Sequence, residues 1–117
     1  MVNDYLISNE LDHFSKLLFG EKTNSHDTDE LRKRLKDEFG IEVNVKSEGG
    51  WFGYKFFLVQ VLRKDRNGEY INEHCTGGYG DNGEFPSKGL AMRYGLLVAC
   101  TFALSINFKN GYLCLEN

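Results

Sequence analysis

The dipeptide Asn67-Gly68 lies between two runs dense in β-branched, aromatic and alternating residues, Tyr54 to Arg63 and Glu69 to Thr76. A two-residue type I′ turn needs positive φ at both central positions, which Asn and Gly tolerate. Such a turn makes its flanking strands antiparallel neighbours, so the dipeptide predicts a β-hairpin and argues against a parallel βαβ unit. Upstream, Ile41-Glu42-Val43-Asn44-Val45-Lys46 alternates apolar and polar residues, the pattern of a strand with one wet face. Ser47 to Gly53 reads as a glycine-rich connection around Trp51, so three strands follow one another as an antiparallel meander.

Helical periodicity brackets this sheet. Leu11, Phe14, Leu17 and Leu18 form one apolar face over Asn9 to Phe19, and Gly20 is placed to stop the helix. A polar linker follows. Asp27 or Thr28 then caps a helix whose Leu31, Leu35 and Phe39 recur every four residues, with Gly40 at its C-terminal stop. Arg32, Lys33, Arg34 and Lys36 fill the remaining positions and read as a solvated face. Past a glycine-rich loop, residues 77–84, Ser87 caps a long helix reaching about Phe108. Leu90, Tyr94, Leu97, Thr101 and Leu104 share one face of it, but little polar surface remains anywhere between Leu96 and Ile106. A helix apolar nearly all round is buried on more than one side. The sheet covers one side. Either the first helix or a partner subunit covers another, and the second option predicts a homo-oligomer built on Leu96, Leu97, Phe102 and Ile106. The final residues, Tyr112 to Glu116, read as a short strand or a docked tail.

The expectation is an α+β fold: helix, three-stranded antiparallel meander and long C-terminal helix, with an extra N-terminal helix. Residues 1–26 hold the extra helix and linker and 27–117 the α-β-β-β-α domain, together one globular unit. A chain of 117 residues, 41% hydrophobic, suits one core and argues against disorder. The net charge of −3 weighs against dense electrostatic contact with nucleic acid but leaves room for a local basic patch.

Chemistry-bearing patterns are sparse. Cys75, Cys100 and Cys114 are odd in number and lack metal-ligand spacing, so neither a disulfide framework nor a zinc site is expected. His74 adjoins Cys75, but neighbouring strand residues take opposite faces, so the two do not form a nucleophile pair. Gly77-Gly78-Tyr79-Gly80 lacks the Gly-Lys-Ser/Thr ending of a phosphate loop. No catalytic residue, metal or cofactor is expected, and the chain reads as a binding module rather than an enzyme. Met1 to Tyr5 carries no basic start of a secretory signal, and Leu96 to Ile106 is too short to span a bilayer. A cytoplasmic protein without membrane attachment is the expectation.

Aromatic and basic residues do cluster in sequence around the loops. Trp51, Tyr54, Tyr79 and Phe85 lie in or beside them, with Lys46, Lys55, Arg63, Lys64, Arg66, Lys88 and Arg93 nearby. Exposed aromatics beside cations suit base stacking, while the alternative for Trp51 and Phe85 is to close the ends of the core. The segment Tyr70-Ile71-Asn72-Glu73-His74-Cys75-Thr76-Gly77-Gly78-Tyr79-Gly80, followed by Ser87-Lys88-Gly89-Leu90-Ala91, resembles single-strand annealing proteins of the Rad-fifty-two type. In that family a strand ending in Gly-Tyr-Gly precedes a Ser-Lys helix rich in alanine and leucine. Ala91-Met92-Arg93-Tyr94-Gly95-Leu96-Leu97 is similar to a helix of the phage essential recombination function family. The helix–three strands–helix order is also that of the double-stranded-RNA-binding domain. These resemblances imply a phage or mobile-element module that binds single-stranded DNA through Lys55, Arg63, Lys64, Arg66, Tyr79, Lys88 and Arg93. The alternative is a small protein–protein interaction module, such as a phage-borne inhibitor of a host nucleic-acid enzyme.

Overall fold

The structure is a computed structural model that describes residues 4–49, 55–64, 67–75, 85 and 87–107. Its element order is α1 (Asp4–Phe19), α2 (Thr28–Phe39), β1 (Ile41–Gly49), β2 (Lys55–Lys64), β3 (Tyr70–Cys75) and α3 (Lys88–Asn107). The fold is α+β, as the periodicities predict.

The local signals act at the helix ends. Asp27 is the N-cap of α2, its carboxylate accepting from the Glu30 N–H at 3.1 Å. Gly40 ends α2 in the left-handed region (φ 68°, ψ 26°), and its N–H donates to the carbonyls of Leu35 and Lys36. Glycine adopts that conformation without the Cβ clash of other residues. Ser87 caps α3, accepting from Leu90 N–H at 3.2 Å.

β1 pairs antiparallel with β2, from Ile41↔Arg63 to Gly49↔Lys55. The strand therefore runs through Ser47 to Gly49, which the sequence reading assigned to a connection. β3 lies on the other side of β2, giving the order β1-β2-β3, with an irregularity between Val61 and Leu62. The turn between β2 and β3 differs from the two-residue expectation. The register ends at Lys64↔Tyr70. A two-residue turn at Asn67-Gly68 would set 66 opposite 69, out of step with that register by one residue. The connection is therefore longer, and Gly68 supplies its positive φ, 84°. Phe85 adds a separate bridge: its N–H and carbonyl exchange 2.9 Å hydrogen bonds with Phe57.

The core lies on the sheet face carrying Ile41, Val43, Val59 and Val61, beneath Leu31 and Leu35 of α2 and the apolar side of α3. α3 packs on β1 and β2, and α1 packs on α3. The nearly all-apolar helix is thus covered by the chain itself, through Ile7, Leu11, Phe14 and Leu18 of α1. Two details of the sequence reading are corrected. α1 begins a turn earlier than Asn9, because Ile7 extends the Leu11 face by one helical repeat and is buried. Leu17 falls off that face and is 60% exposed.

The contact of α3 with the sheet is close because its residues there are small. Ala91, Gly95, Ala99 and Ala103 recur every four residues and are all buried. A Cβ on Gly95 would stand 2.5 Å from a Val59 methyl carbon and 2.6 Å from one of Val43. The fully buried side of α3 therefore runs through these residues, Leu96 and Cys100, whereas Tyr94, Leu97, Thr101 and Leu104 are half-buried.

Candidate nucleic-acid interface

Among the described residues, the sequence-predicted cations do not gather into one patch. Arg63 and Lys64 end β2 beside Gly40, whose carbonyl accepts from the Lys64 N–H at 3.0 Å. Lys88 opens α3 three residues after Phe85, and Phe85 is bound to Phe57 at the other end of β2. Seven residue steps of strand separate Phe57 from Lys64, about 23 Å at 3.3 Å per residue. Lys55 begins β2, opposite Gly49, on the Phe57 side. Arg63 and Lys64 are adjacent in an extended strand and so face opposite sides of the sheet. Arg63 is half-buried and Lys64 exposed. Lys88 and Arg93 stand about 140° apart around α3 at ~100° per residue. Lys88 is exposed, and half-buried Arg93 lies along its own helix with Nη1 3.4 Å from the Cβ position of Gly89. Arg66 and Tyr79 lie outside the described residues, as do Trp51 and Tyr54.

The basic residues of α2 are engaged within the chain. Lys33 meets Asp37 at 2.7 Å, and this hydrogen bond raises the Lys33 pKa above its ordinary value. Arg34 meets Glu38 at 2.9 Å and stacks on the Phe19 ring, 4.2 Å from its centroid. Lys36 approaches Glu42 at 4.0 Å. A groove of about 270 Å3 between α2 and β1 is lined by Asp29, Arg32, Lys33, Lys36, Glu42 and Val43. Its mixed charge gives no strong field of one sign.

Arg32 is exposed, as expected of a solvated face, and it also braces β1. Its Nε donates to the Val43 carbonyl at 2.9 Å and its Nη2 to Asn44 Oδ1 at 3.2 Å. Val43 lies on β1, an outer strand of the sheet, so Arg32 engages a carbonyl that sheet pairing leaves available.

Alternation sends Glu42, Asn44 and Lys46 of β1 to the face opposite the core, with Leu58, Gln60, Leu62 and Lys64 of β2. The register sets Glu42 across from Leu62, Asn44 from Gln60 and Lys46 from Leu58. Lys46, Gln60 and Lys64 are exposed, and Leu58 and Leu62 are half-buried. Among the described residues, this second face joins amides, cations, two leucine surfaces and the Glu42 carboxylate. The sequence reading named Lys46 and Lys64 but missed Asn44 and Gln60. Strand alternation combined with a correct hairpin register would have placed the two amides side by side.

Other candidates are reassigned. Phe85 is fully buried and its ring lies 5.2 Å from that of Tyr94, so of its two expected roles it takes the one that closes the core. Leu96 is also fully buried inside the chain and has no surface to offer a second subunit. Leu97 and Phe102 are half-buried against the core, and the Ile106 side chain lies outside the described residues. Cys100 is a core residue whose thiol pKa burial pushes up to about 12, leaving no appreciable thiolate at neutral pH.

The linker between α1 and α2 is tied down. Ser25 Oγ donates to Asp12 Oδ1 at 2.9 Å and Lys16 Nζ to Oδ2 at 3.1 Å. Those two hydrogen bonds, Ser25 first, hold the Asp12 carboxyl below its ordinary pKa. Among the described residues, no group of three His, Cys, Asp or Glu side chains is placed to hold a metal ion. No described helix is long and apolar enough to cross a membrane. Comparison of the chain with protein-family models, curated proteins and solved structures finds no match.

Proposed function

We propose that this domain binds single-stranded nucleic acid across the sheet face opposite its helices, as a non-catalytic module of the annealing type, acting in the cytoplasm and encoded by a phage or mobile element. The observation that carries the reading is the composition of that face. Lys46, level with Leu58, and Lys64 lie toward its two ends, with Asn44, Gln60, Leu62 and the single carboxylate Glu42 between them. Cations hold a phosphate backbone, and amides and apolar side chains meet base edges and faces. The α-β-β-β-α order of residues 28–107 supports a kinship with double-stranded-RNA-binding-like folds. The exposed Lys88, beside the N–H groups of the first turn of α3, supplies a further phosphate contact. With a net charge of −3, binding depends on these few placed cations and is weak at physiological salt.

Titration of a fluorescently labelled single-stranded oligonucleotide at several salt concentrations tests the reading. Binding that weakens with salt, and whose salt slope falls by about 0.7 on Lys46→Ala, supports it. No binding at low salt refutes it. A second reading, a protein-interaction module, is favoured by α1. The large hydrophobic residues most exposed among the described residues, Tyr5 (71%), Leu6 (54%) and Leu17 (60%), all belong to that helix. Loss of a partner on Leu6→Ser and Leu17→Ser, with DNA binding absent in the parent, is the outcome that reading requires.

A further inference from the structure

Resting on the single-strand reading, we infer that Asn44 and Gln60 form a base-recognition site selective for unpaired pyrimidines, with Arg32 as its positioning residue. The two amides are direct partners across β1 and β2, on the face opposite the described core residues. Residues so paired have Cβ atoms about 5 Å apart. Arginine has donors and no acceptor, so the Asn44 atom facing Arg32 Nη2 at 3.2 Å must be the oxygen. The same guanidinium is anchored by its 2.9 Å bond to the Val43 carbonyl. Asn44 Oδ1 is therefore turned toward Arg32, and its Nδ2 donors are directed away from Arg32. Gln60, exposed beside it, supplies one amide oxygen and one NH2 group and can present them in either order.

The site thus offers two donor groups and one acceptor in a row. The Watson–Crick edge of cytosine carries two acceptors and a donor, and that of thymine or uracil carries a donor between two acceptors. Both match a row in which Asn44 gives a donor and Gln60 gives a donor and an acceptor, ordered by the orientation of Gln60. Guanine presents one acceptor and two donors, so one of its donors would meet an amide NH2. Adenine presents only two groups and leaves one site group unmatched. Leu58 and Leu62, two residues either side of Gln60, give apolar surface for the faces of the bases, and Lys46 and Lys64 flank the row. The partner is a single strand, because a duplex buries its Watson–Crick edges. Nor does a duplex groove admit this face. The major groove, about 12 Å wide, takes one helix or a two-stranded ribbon. Three strands span roughly 10 Å between outer axes before side chains are added.

The test is binding of labelled oligo(dT), oligo(dC) and oligo(dA) of equal length to the full chain and to Asn44→Ala, Gln60→Ala and Arg32→Lys. The parent is expected to bind the pyrimidine strands several-fold to tenfold more tightly than oligo(dA), the scale of a good amide–base contact. Gln60→Ala and Asn44→Ala bring the three affinities together while leaving the salt slope unchanged, because no phosphate contact is lost. Arg32→Lys, folded as judged by circular dichroism, also narrows the preference, since lysine lacks the fork that reaches both acceptors. A parent that binds all three strands alike, or a preference that survives Asn44→Ala and Gln60→Ala, overturns the inference and leaves the single-strand reading standing. A parent that binds no strand overturns both.

Discussion

Replacing Gly95 by alanine is expected to destabilise the protein, against the ordinary rule for helices. Glycine inside a helix costs about 1 kcal/mol relative to alanine, so Gly→Ala normally stabilises. At Gly95 the new methyl would stand 2.5 Å from Val59 Cγ2 and 2.6 Å from Val43 Cγ1. Carbon atoms in contact prefer about 3.5–4.0 Å, so roughly 1 Å of separation is missing on both sides. Neither valine can yield easily. Both are buried and β-branched, with few alternative rotamers, and they belong to paired strands. α3 must lift from the sheet, which disturbs Ala91 and Ala99 as well. Overpacking of this kind costs about 1–3 kcal/mol. Set against the helix-propensity gain, the net loss is up to about 2 kcal/mol, or up to about 8 °C in Tm for a domain of this size. Urea and thermal unfolding followed by far-ultraviolet circular dichroism measure it. In the Gly95→Ala background, Val59→Ala should cost less than it does alone, by at least about 0.5 kcal/mol of coupling. Gly89→Ala is the control: its Cβ meets only the Arg93 guanidinium tip at 3.4 Å, so this change should be neutral or stabilising. Gly95→Ala as stable as the parent, with no coupling to Val59, would refute the close approach of α3 to the sheet.

Gly68→Val should cost about 1–3 kcal/mol, because φ is 84° there and no atom lies within 4 Å of an added Cβ, so the strain is purely backbone; a variant melting like the parent removes the positive-φ turn. Asp12 has a folded-state pKa below its ordinary value of 3.8. Its contribution is therefore fully present above that value and is lost as pH falls through the lower folded value. Asp12→Asn and Ser25→Ala should both flatten the acid limb of the stability–pH curve below about pH 4, and an unchanged limb contradicts the Ser25–Asp12–Lys16 arrangement. Cys100 should resist iodoacetamide in the native protein at pH 8 and react in urea, as read by peptide mass spectrometry; rapid native labelling contradicts its burial. Lys88→Ala should reduce the salt slope of single-strand binding by about 0.7 without changing base preference, as for one lost phosphate contact.

The elements most legible in the sequence were those whose cause is local. Asp27 and Gly40 bound α2 through cap chemistry, and the alternation of Ile41 to Lys46 marked the core face of β1. Long-range decisions were harder to read. The extension of β1 to Gly49 depends on pairing with β2, which glycine and serine in that stretch do not advertise. Burial of Phe85 at the end of the core is legible in the sequence, but its backbone pairing with Phe57 is not. The sequence allows either α1 or a partner subunit to cover α3. Ile7, one turn before Leu11, completes the face by which α1 supplies it. The Ala91, Gly95, Ala99, Ala103 spacing was visible, but reading large apolar residues alone pointed to Leu97 and Leu104 instead. At the candidate interface, residue type identified cations one by one. Their separation by about 23 Å of strand depends on the fold, and so does the pairing of Asn44 with Gln60.

The most direct test of a nucleic-acid site on the sheet face is a chemical-shift map. The 15N-labelled protein is titrated with oligo(dT) at low salt and its backbone and side-chain amide resonances are followed. The account predicts that the side-chain NH2 groups of Asn44 and Gln60 shift first, with the backbone amides of Lys46, Leu58, Leu62 and Lys64, while α1 stays unperturbed. Shifts confined to α1 around Tyr5, Leu6 and Leu17, or none at saturating oligonucleotide, would contradict it.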